Sequence, residues 1–233
     1  MVDCIVSAVR GRKYEAVQDT LRANKEAYCR ACGYRCLVSN NQSLSDRPPA
    51  WDKLPALRAA LEGGKCRAAA WVDGDVIFRR AIALPFNTLS SPTDVLMMRD
   101  QNGLNSGVMM LTAADAAMEL LGRAWNATQF LKHNTWEQQA LRHVLLTQPL
   151  LRRHVQLVQG GLVDSKRDAS STPLFHAAGC FSSRSKTYGV CHTVLRSVLN
   201  HATLSGGAKC TPMSNVMTVR VTAKDVRTDG VLG

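Results

Sequence analysis

The sequence is poor in several features that identify broad classes of protein. Aromatic residues make up 6% of the 233 residues, and basic residues form no dense run. Both observations disfavour a nucleic-acid groove built from stacking aromatics and a basic strip. No stretch of about 18 apolar residues occurs, so we expect no membrane span. No glycine loop of the Gly-x-x-x-x-Gly-Lys type is present, which disfavours phosphoryl-transfer enzymes that cradle phosphates in this way.

The first residues also lack the charged-then-apolar layout of a signal peptide, because Asp3 and Arg10 interrupt the short apolar run. We therefore expect a soluble chain, cytoplasmic if it is full length. What the chain has in excess is positive charge, with 29 basic against 18 acidic residues and a formal net charge of +11. This excess favours anionic partners such as nucleic acid, an anionic membrane surface or phosphate-bearing ligands, and it is also compatible with an ordinary basic enzyme.

Eight cysteines are more than a reducing compartment requires. Cys29, Cys32 and Cys36 form the densest group, and a Cys-x-x-Cys pair can bind zinc. A structural zinc site usually shows a second such pair, which is missing here. We therefore favour small buried thiols, or one or two disulfides such as Cys180 with Cys191, over a zinc site.

Apolar periodicity predicts alternating strands and helices. Residues 2–9 are typical of a buried strand, and residues 14–32 carry apolar side chains at helical spacing up to a glycine stop at Gly33. A strand over 34–38 follows, and this order is typical of a parallel pair in an α/β sheet. Further strands are predicted over 68–72, 94–100, 103–112 and 155–158, and helices over 51–63, 113–128 and 136–147.

The most informative segment is Trp71-Val72-Asp73-Gly74-Asp75, in which two carboxylates follow an uncharged strand. Side chains two residues apart on an extended chain lie on the same side, and paired like charges there are unfavourable without a cation. Hard divalent ions such as Mg²⁺ and Mn²⁺ bind such oxygen ligands, and Gly74 lets a ligand approach closely. Asp and Gly are also common in ordinary turns, so the segment alone leaves both interpretations open.

Six segments in order resemble the retaining α-glycosyltransferases that include fungal α-galactosyl- and α-mannosyltransferases, plant xyloglucan xylosyltransferases and galactomannan galactosyltransferases. The resemblance spans roughly residues 2–200. The segments that carry it are Tyr28-Cys29-Arg30-Ala31-Cys32-Gly33-Tyr34, Trp51-Asp52-Lys53-Leu54-Pro55-Ala56-Leu57-Arg58, Trp71-Val72-Asp73-Gly74-Asp75, Leu104-Asn105-Ser106-Gly107, Glu137-Gln138-Gln139-Ala140-Leu141 and Phe175-His176-Ala177-Ala178-Gly179-Cys180. Two positions depart from the family pattern, since Cys32 replaces a histidine and Ala177 replaces an aromatic residue.

The resemblance implies an α/β fold with a single GT-A domain over residues 1–204, in which helices flank a central, mostly parallel sheet. A C-terminal extension over 205–233 is expected to be poorly ordered. The resemblance also implies a divalent ion, usually Mn²⁺ or else Mg²⁺, a nucleotide-sugar donor, in most members a UDP-sugar, and a glycan or glycoconjugate acceptor. No nucleic-acid partner is expected. If the chain is an excised catalytic domain, the family implies the Golgi lumen.

By the same resemblance, Asp73 and Asp75 bind the ion and, through it, the diphosphate, with Gly74 between them. His176 is implied as the third metal ligand, and its alternative is a hydrogen-bonded loop histidine.

Basic residues are candidates to contact the diphosphate, namely Lys53 from its motif and Arg184 and Lys186 from their proximity to His176. Ser7 and Ala8, at the end of the first strand, lie where such folds seat the nucleotide base.

Three further residues are candidates for catalysis. Asn105 is expected to contact the donor sugar or the charge that develops near it, and alternatively it only shapes a strand end together with Gly107. Glu137 and Gln138 begin a predicted helix, where an active-site role and a capping role are compatible. No residue is identified as a covalent nucleophile, and the family implies that the anomeric configuration is retained.

Two other functions remain open. A metal-dependent phosphoryl- or nucleotidyl-transfer enzyme would also need paired carboxylates and a basic surface. A non-catalytic basic nucleic-acid-binding module, with zinc at the three clustered cysteines, would leave Asp73 and Asp75 unexplained. A family member that binds a donor without catalysis is a further alternative.

Overall fold

Apolar strands and amphipathic helices alternate along the chain and fold into a layered α/β structure. The computed structural model describes residues 1–9, 14–40, 45–100, 103–160, 162–164, 172–177, 197–198, 204, 209–213 and 216–226. Its strands are β1 (Val2–Val9), β2 (Arg35–Asn40), β3 (Cys66–Val72), β4 (Val76–Phe78), β5 (Val95–Asp100), β6 (Gly103–Thr112), β7 (Val155–Val158), β8 (Val163–Asp164), β9 (Leu174–His176) and β10 (Thr218–Arg220). Its α-helices are α1 (Gln18–Cys32), α2 (Lys53–Glu62), α3 (Asp115–Asn126), α4 (Trp136–Thr147), α5 (Pro149–Arg152) and α6 (Ala223–Val226).

The main sheet has seven strands in the order β10-β7-β5-β6-β3-β1-β2. β1 pairs in parallel with both β2 and β3, and β5 pairs in parallel with β7. β6 lies antiparallel between β3 and β5, and β10 lies antiparallel to β7 at one edge. The other five described strands of this sheet therefore run in one direction, which confirms the predicted mostly parallel sheet.

Both faces of this sheet are buried, which explains why β3 carries no charge beyond Arg67. Ala69 and Trp71 pack in one apolar cluster with side chains of α2, α3 and α4, and Ala68 and Ala70 pack in a second cluster with Tyr28 of α1. Successive side chains of a strand point to opposite faces, so a strand covered on both faces reads as a continuous apolar run.

A second sheet of three strands, in the order β4-β9-β8, lies beyond the end of β3. β4 and β9 were not predicted from the sequence, because each has only three residues and carries no readable alternation. Their antiparallel pairing sets Val76 opposite His176. This register brings the end of the described chain segment 172–177 to the carboxyl end of β3.

Part of the tail beyond residue 204 contacts the domain, and the poor order expected for the extension stays a prediction. Thr218–Arg220 adds an edge strand to β7, and Val221 and Val226 are buried in the core cluster beside α4. Apolar burial and ladder hydrogen bonds therefore hold residues 218–226 to the domain. The boundary at residue 204 stays a prediction.

Three disulfides join the described cysteines. Cys4–Cys66 links β1 to β3, Cys29–Cys36 links the end of α1 to β2, and Cys32–Cys210 holds the tail against α1. The zinc alternative at Cys29, Cys32 and Cys36 is therefore wrong, because their sulfur atoms are used in covalent pairs, and the predicted number of disulfides was too low. Cys180 and Cys191 lie outside the described residues.

Among the described helices, none is both long enough and apolar enough to cross a membrane.

Candidate active site

The Asp73-Gly74-Asp75 segment is a tight turn between β3 and β4. The Asp73 amide donates to the Gly107 carbonyl of β6 at 2.8 Å, and the Val76 amide donates to the Asp73 carbonyl at 3.0 Å. A β-carbon on Gly74 would lie 2.8 Å from the Ala8 carbonyl oxygen, so only glycine lets the turn pack this close to β1. The turn interpretation and the ligand interpretation of this segment are therefore compatible.

His176 meets the two carboxylates across the small sheet. Its Nε2 lies 3.4 Å from Asp75 Oδ1 and 3.8 Å from Asp73 Oδ2. One ligand atom from each of the three residues lies within 4.8 Å of the other two. The side chains are 29% (Asp73), 12% (Asp75) and 9% (His176) exposed, so the cluster is buried on one side and open at Asp73. We call these three residues the acidic triad.

The electrostatics of the acidic triad follow from its crowding. Burial acts to raise the pKa of Asp75, but His176 and Lys25 outweigh burial and hold that pKa below its ordinary value. Burial acts to lower the pKa of His176, but Asp75 and Asp73 raise it above 6.5. Each group thus favours its charged form because of the other. Two carboxylates with one imidazole form a donor set that suits a divalent ion such as Mn²⁺.

Gly107 leaves the space that His176 occupies. A β-carbon there would lie 2.2 Å from His176 Cε1 and 2.9 Å from Asn105 Oδ1. The Asn105 side chain accepts from the Gly107 amide at 2.7 Å and donates to Asp100 at 2.7 Å. Asn105 therefore shapes this strand end together with Gly107. Its contact with a donor sugar stays a prediction.

A second group of charges lies beneath Asp73. Lys53, the first residue of α2, is 2% exposed, and its Nζ lies 2.7 Å from Glu137 Oε1 and 3.1 Å from Asp73 Oδ1. It also donates to the Ser106 carbonyl at 3.1 Å. Burial acts to lower the pKa of Lys53, but Asp73 and Glu137 raise it above its ordinary value. We call Lys53, Glu137 and Ser106 the buried ion-pair cluster.

An ammonium group has three donors, and acceptor atoms of three residues, Glu137, Asp73 and Ser106, account for them. The structure thus gives the Lys53 ammonium a place beneath Asp73, holding that carboxylate in position. Its predicted contact with the diphosphate stays a prediction.

Glu137 and Gln138 both reach Ser106 of β6. Ser106 Oγ donates to Glu137 Oε1 at 2.9 Å, and the Ser106 amide donates to Gln138 Oε1 at 2.9 Å. Burial raises the pKa of Glu137, although Lys53 opposes the shift. Both side chains hydrogen-bond to Ser106 of β6, and Glu137 also pairs with Lys53 of α2, so they join α4 to β6.

The remaining predicted residues are dispersed. Ser7 is buried, and its hydroxyl donates to the Val72 carbonyl at 2.6 Å. Ala8 contacts the turn at Gly74 through its carbonyl oxygen. The seat of a nucleotide base at Ser7 and Ala8 stays a prediction. Arg184 and Lys186 lie outside the described residues.

Lys25 is a site residue that was not predicted from the sequence. This side chain is fully buried, and its Nζ donates to the carbonyls of Gly74 at 2.9 Å and Val76 at 3.0 Å. Burial lowers the pKa of Lys25 to about 8, while Asp75 and Asp73 oppose the shift. Its signal was present, because Lys25 stands four residues after Leu21 and three before Tyr28, within the apolar stripe of α1.

Known sequences resemble this chain over much of its length. Residues 66–186, just over half of the chain, match the family described as the galactosyl transferase GMA12/MNN10 family. An uncharacterized alpha-1,2-galactosyltransferase of Schizosaccharomyces pombe is 24% identical over 214 aligned residues. That alignment covers 70% of this chain and 56% of the relative, so this chain spans little more than half of the relative's length.

Solved structures share the fold. A glycosyltransferase involved in glycosylation of the major capsid of PBCV-1 superposes with a TM-score of 0.60 at 14% identity, covering 84% of this chain and 100% of that chain. The galactosyltransferase LgtC, solved with donor and acceptor sugar analogs, superposes with a TM-score of 0.52 at 12% identity, covering 86% of this chain and 96% of that chain. At these identities the likeness concerns the fold alone, and it confirms the predicted GT-A architecture.

Proposed function

The chain belongs to the galactosyl transferase GMA12/MNN10 family, and on this premise we propose that it is a metal-dependent, retaining glycosyltransferase. It moves a sugar from a nucleotide-diphosphate donor, with UDP as the nucleotide, to a hydroxyl group of a glycan. The name of the yeast relative supports galactose as the first sugar to test.

The observation that carries this proposal is the acidic triad. Asp73, Asp75 and His176 converge at the carboxyl end of β3, the end of the strands at which α/β sheets bind ligands. Lys25, beneath the turn, donates to the backbone carbonyls of Gly74 and Val76, and Asp73 is the most exposed member of the triad. A divalent ion held by the triad would neutralise the charge that develops on the departing nucleotide diphosphate.

The chain's own groups keep this site in place. Lys53 and the Trp71 indole both donate to Asp73 Oδ1, at 3.1 Å and 2.5 Å, and so fix the carboxylate on the side away from solvent. Glu137 and Gln138 fix Ser106, and its neighbour Asn105 is the residue that we expect near the donor sugar. Preorganised groups of this kind need no rearrangement during the reaction.

Retention of configuration follows here from attack on the face that the diphosphate leaves. The bond from the sugar's anomeric carbon to the phosphate oxygen breaks as the bond to the acceptor oxygen forms, and the released phosphate oxygen takes the acceptor's proton. Glu137 supports this route, because its carboxylate is 2% exposed and paired with Lys53, which disfavours it as a nucleophile. A glycosyl adduct trapped on Glu137 would overturn this route.

The testing experiment measures release of nucleotide from a panel of nucleotide sugars with Mn²⁺, for the wild type and Asp75→Ala. We expect Mn²⁺-dependent release of UDP from one donor, reduced about 100-fold or more in the variant, since ion stabilisation of several kcal/mol is lost. Asp94→Ala is the matched control, because Asp94 also pairs with a histidine, His154 at 2.6 Å, at the opposite end of the sheet.

Release of nucleotide monophosphate or pyrophosphate would instead indicate nucleotidyl or phosphoryl transfer. If no donor binds with or without metal, the transferase proposal fails.

A further inference from the structure

Trp136, the first residue of α4, has an unusual backbone conformation. Its φ is 41°, and it is the one non-glycine residue with positive φ in the described part of the chain. The left-handed region is unfavourable for L-residues, above all for bulky ones, and glycine would be the ordinary choice. Strained residues of this kind concentrate at functional sites.

The Trp136 side chain is also unusual in its surroundings. It is 42% exposed and is the one exposed aromatic side chain among the described residues. The neighbouring rings pair with one another instead, since Phe130 lies 6.1 Å from His133 and 5.2 Å from His143 between ring centroids. The position thus combines two unfavourable features, a strained backbone and a large apolar surface in water, and neither is offset by a ring contact among the described residues.

The position of Trp136 relates it to the site. Its amide donates to the His133 carbonyl at 3.1 Å, and the next two residues, Glu137 and Gln138, reach Ser106 beneath the acidic triad. Adjacent α-carbons lie about 3.8 Å apart. Trp136 is therefore one residue away in the chain from side chains that lie beneath the acidic triad.

We propose that Trp136 is the platform on which a pyranose ring of the acceptor glycan stacks, an assignment that rests on the proposed function. One face of a pyranose presents several C–H groups, which are apolar and slightly positive, and an indole presents a flat face with negative charge density. A bound sugar ring covers the exposed apolar surface and leaves its hydroxyls free to point toward the reacting centre. An acceptor with such a face, rather than a small alcohol, is the substrate class.

The first test measures binding of galactose, glucose and mannose oligosaccharides by titration calorimetry, in the presence of UDP and Mn²⁺. Trp136→Ala is expected to weaken binding of the preferred glycan about tenfold, and Trp136→Phe to weaken it much less, because a smaller aromatic face remains. Leu146→Ala is the matched control, since it removes another exposed apolar side chain from the same helix.

The second test separates the effect of the Trp136 indole ring from the effect of the strained backbone at this position. Trp136→Gly removes the ring and relieves the strain, whereas Trp136→Ala removes only the ring. The glycine variant should therefore melt at a higher temperature than the alanine variant, and the two should bind the glycan equally weakly. In kinetic terms the acceptor KM rises in both variants, and UDP release without acceptor changes far less than transfer does.

Equal affinity of the wild type and Trp136→Ala for the glycan overturns the platform, as does a wild type that binds none of the oligosaccharides. In either case, the proposed function still holds if the wild type shows Mn²⁺-dependent release of UDP. Absence of Mn²⁺-dependent UDP release from the wild type would instead refute the proposed function.

Discussion

Two charged clusters meet at Asp73, and they differ in how their charges are balanced. In the buried ion-pair cluster, Lys53 contacts Glu137 and also Asp73, and its side chain is 2% exposed. In the acidic triad, Asp73 and Asp75 face His176 across 3.8 Å and 3.4 Å at an edge that is open to solvent. The first cluster contains a permanent cation, Lys53, whereas the positive charge of the second depends on protonation of His176.

The difference distinguishes a cluster that holds the site in place from a cluster that can bind a cation. A buried charge that the protein itself pairs is fixed in place and has little capacity left for a ligand. A surface cluster of ligand atoms whose negative charge is only partly neutralised is stabilised when a cation binds. Asp73 belongs to the acidic triad and contacts Lys53 of the buried ion-pair cluster, so the buried ion-pair cluster holds in place a residue of the acidic triad.

The largest expected effect comes from breaking the buried ion-pair cluster. Lys53→Met leaves the Glu137 carboxylate buried without its partner, and we expect the free energy of unfolding to fall by about 3–5 kcal/mol. Urea denaturation measures this change. Lys53→Met/Glu137→Gln removes the orphaned charge as well and should recover much of the loss. Equal stability of the single and the double variant would show that Lys53 contributes packing rather than charge compensation.

A smaller effect is expected from displacing one member of the acidic triad. Gly107→Ala places a methyl group 2.2 Å from His176 Cε1, so the imidazole must move. We expect Mn²⁺ affinity, measured by titration, to fall about 10- to 100-fold, as when the support of a metal ligand is lost. Gly122→Ala is the matched control, because its methyl group meets only the flexible end of Arg58 at 3.7 Å. Unchanged affinity in Gly107→Ala would exclude His176 as a ligand.

The smallest effect is a dependence on pH. The pKa of His176 is raised above 6.5 by Asp75 and Asp73 despite burial. Protonated His176 stabilises the metal-free fold, and this contribution is complete below pH 6.5 and is lost as the pH rises through the raised pKa. Only the neutral imidazole binds a metal, so Mn²⁺ affinity should rise over the same interval.

Metal-free stability and Mn²⁺ affinity are therefore expected to change in opposite directions with pH. Thermal unfolding and metal titration between pH 5.5 and 8.5, on the wild type and His176→Gln, test this expectation. Two curves that move together, or an unaltered pH dependence in the variant, would contradict the role of His176.

Much of the fold was predictable because its signals are local. β1, β3 and β6 appear as apolar runs, and α1 appears through helical spacing, with its start at Gln18 rather than Tyr14. The short strands β4 and β9 could not be predicted, since three residues carry no periodicity and their formation depends on each other. Lys25 was overlooked because a charged residue within an apolar stripe gains its meaning only from the carbonyls of a distant turn.

The sequence by itself determined the alternation of strands and helices and the placement of Asp73 and Asp75 directly after a buried strand. Both depend on the period of the backbone and on neighbours within a few residues. Only the tertiary structure decided that His176 reaches these carboxylates, that Lys53 joins Glu137 to Asp73, and that Cys32 pairs with Cys210. These contacts join residues far apart in the chain, and they depend on strand register and helix packing, which local periodicity does not specify.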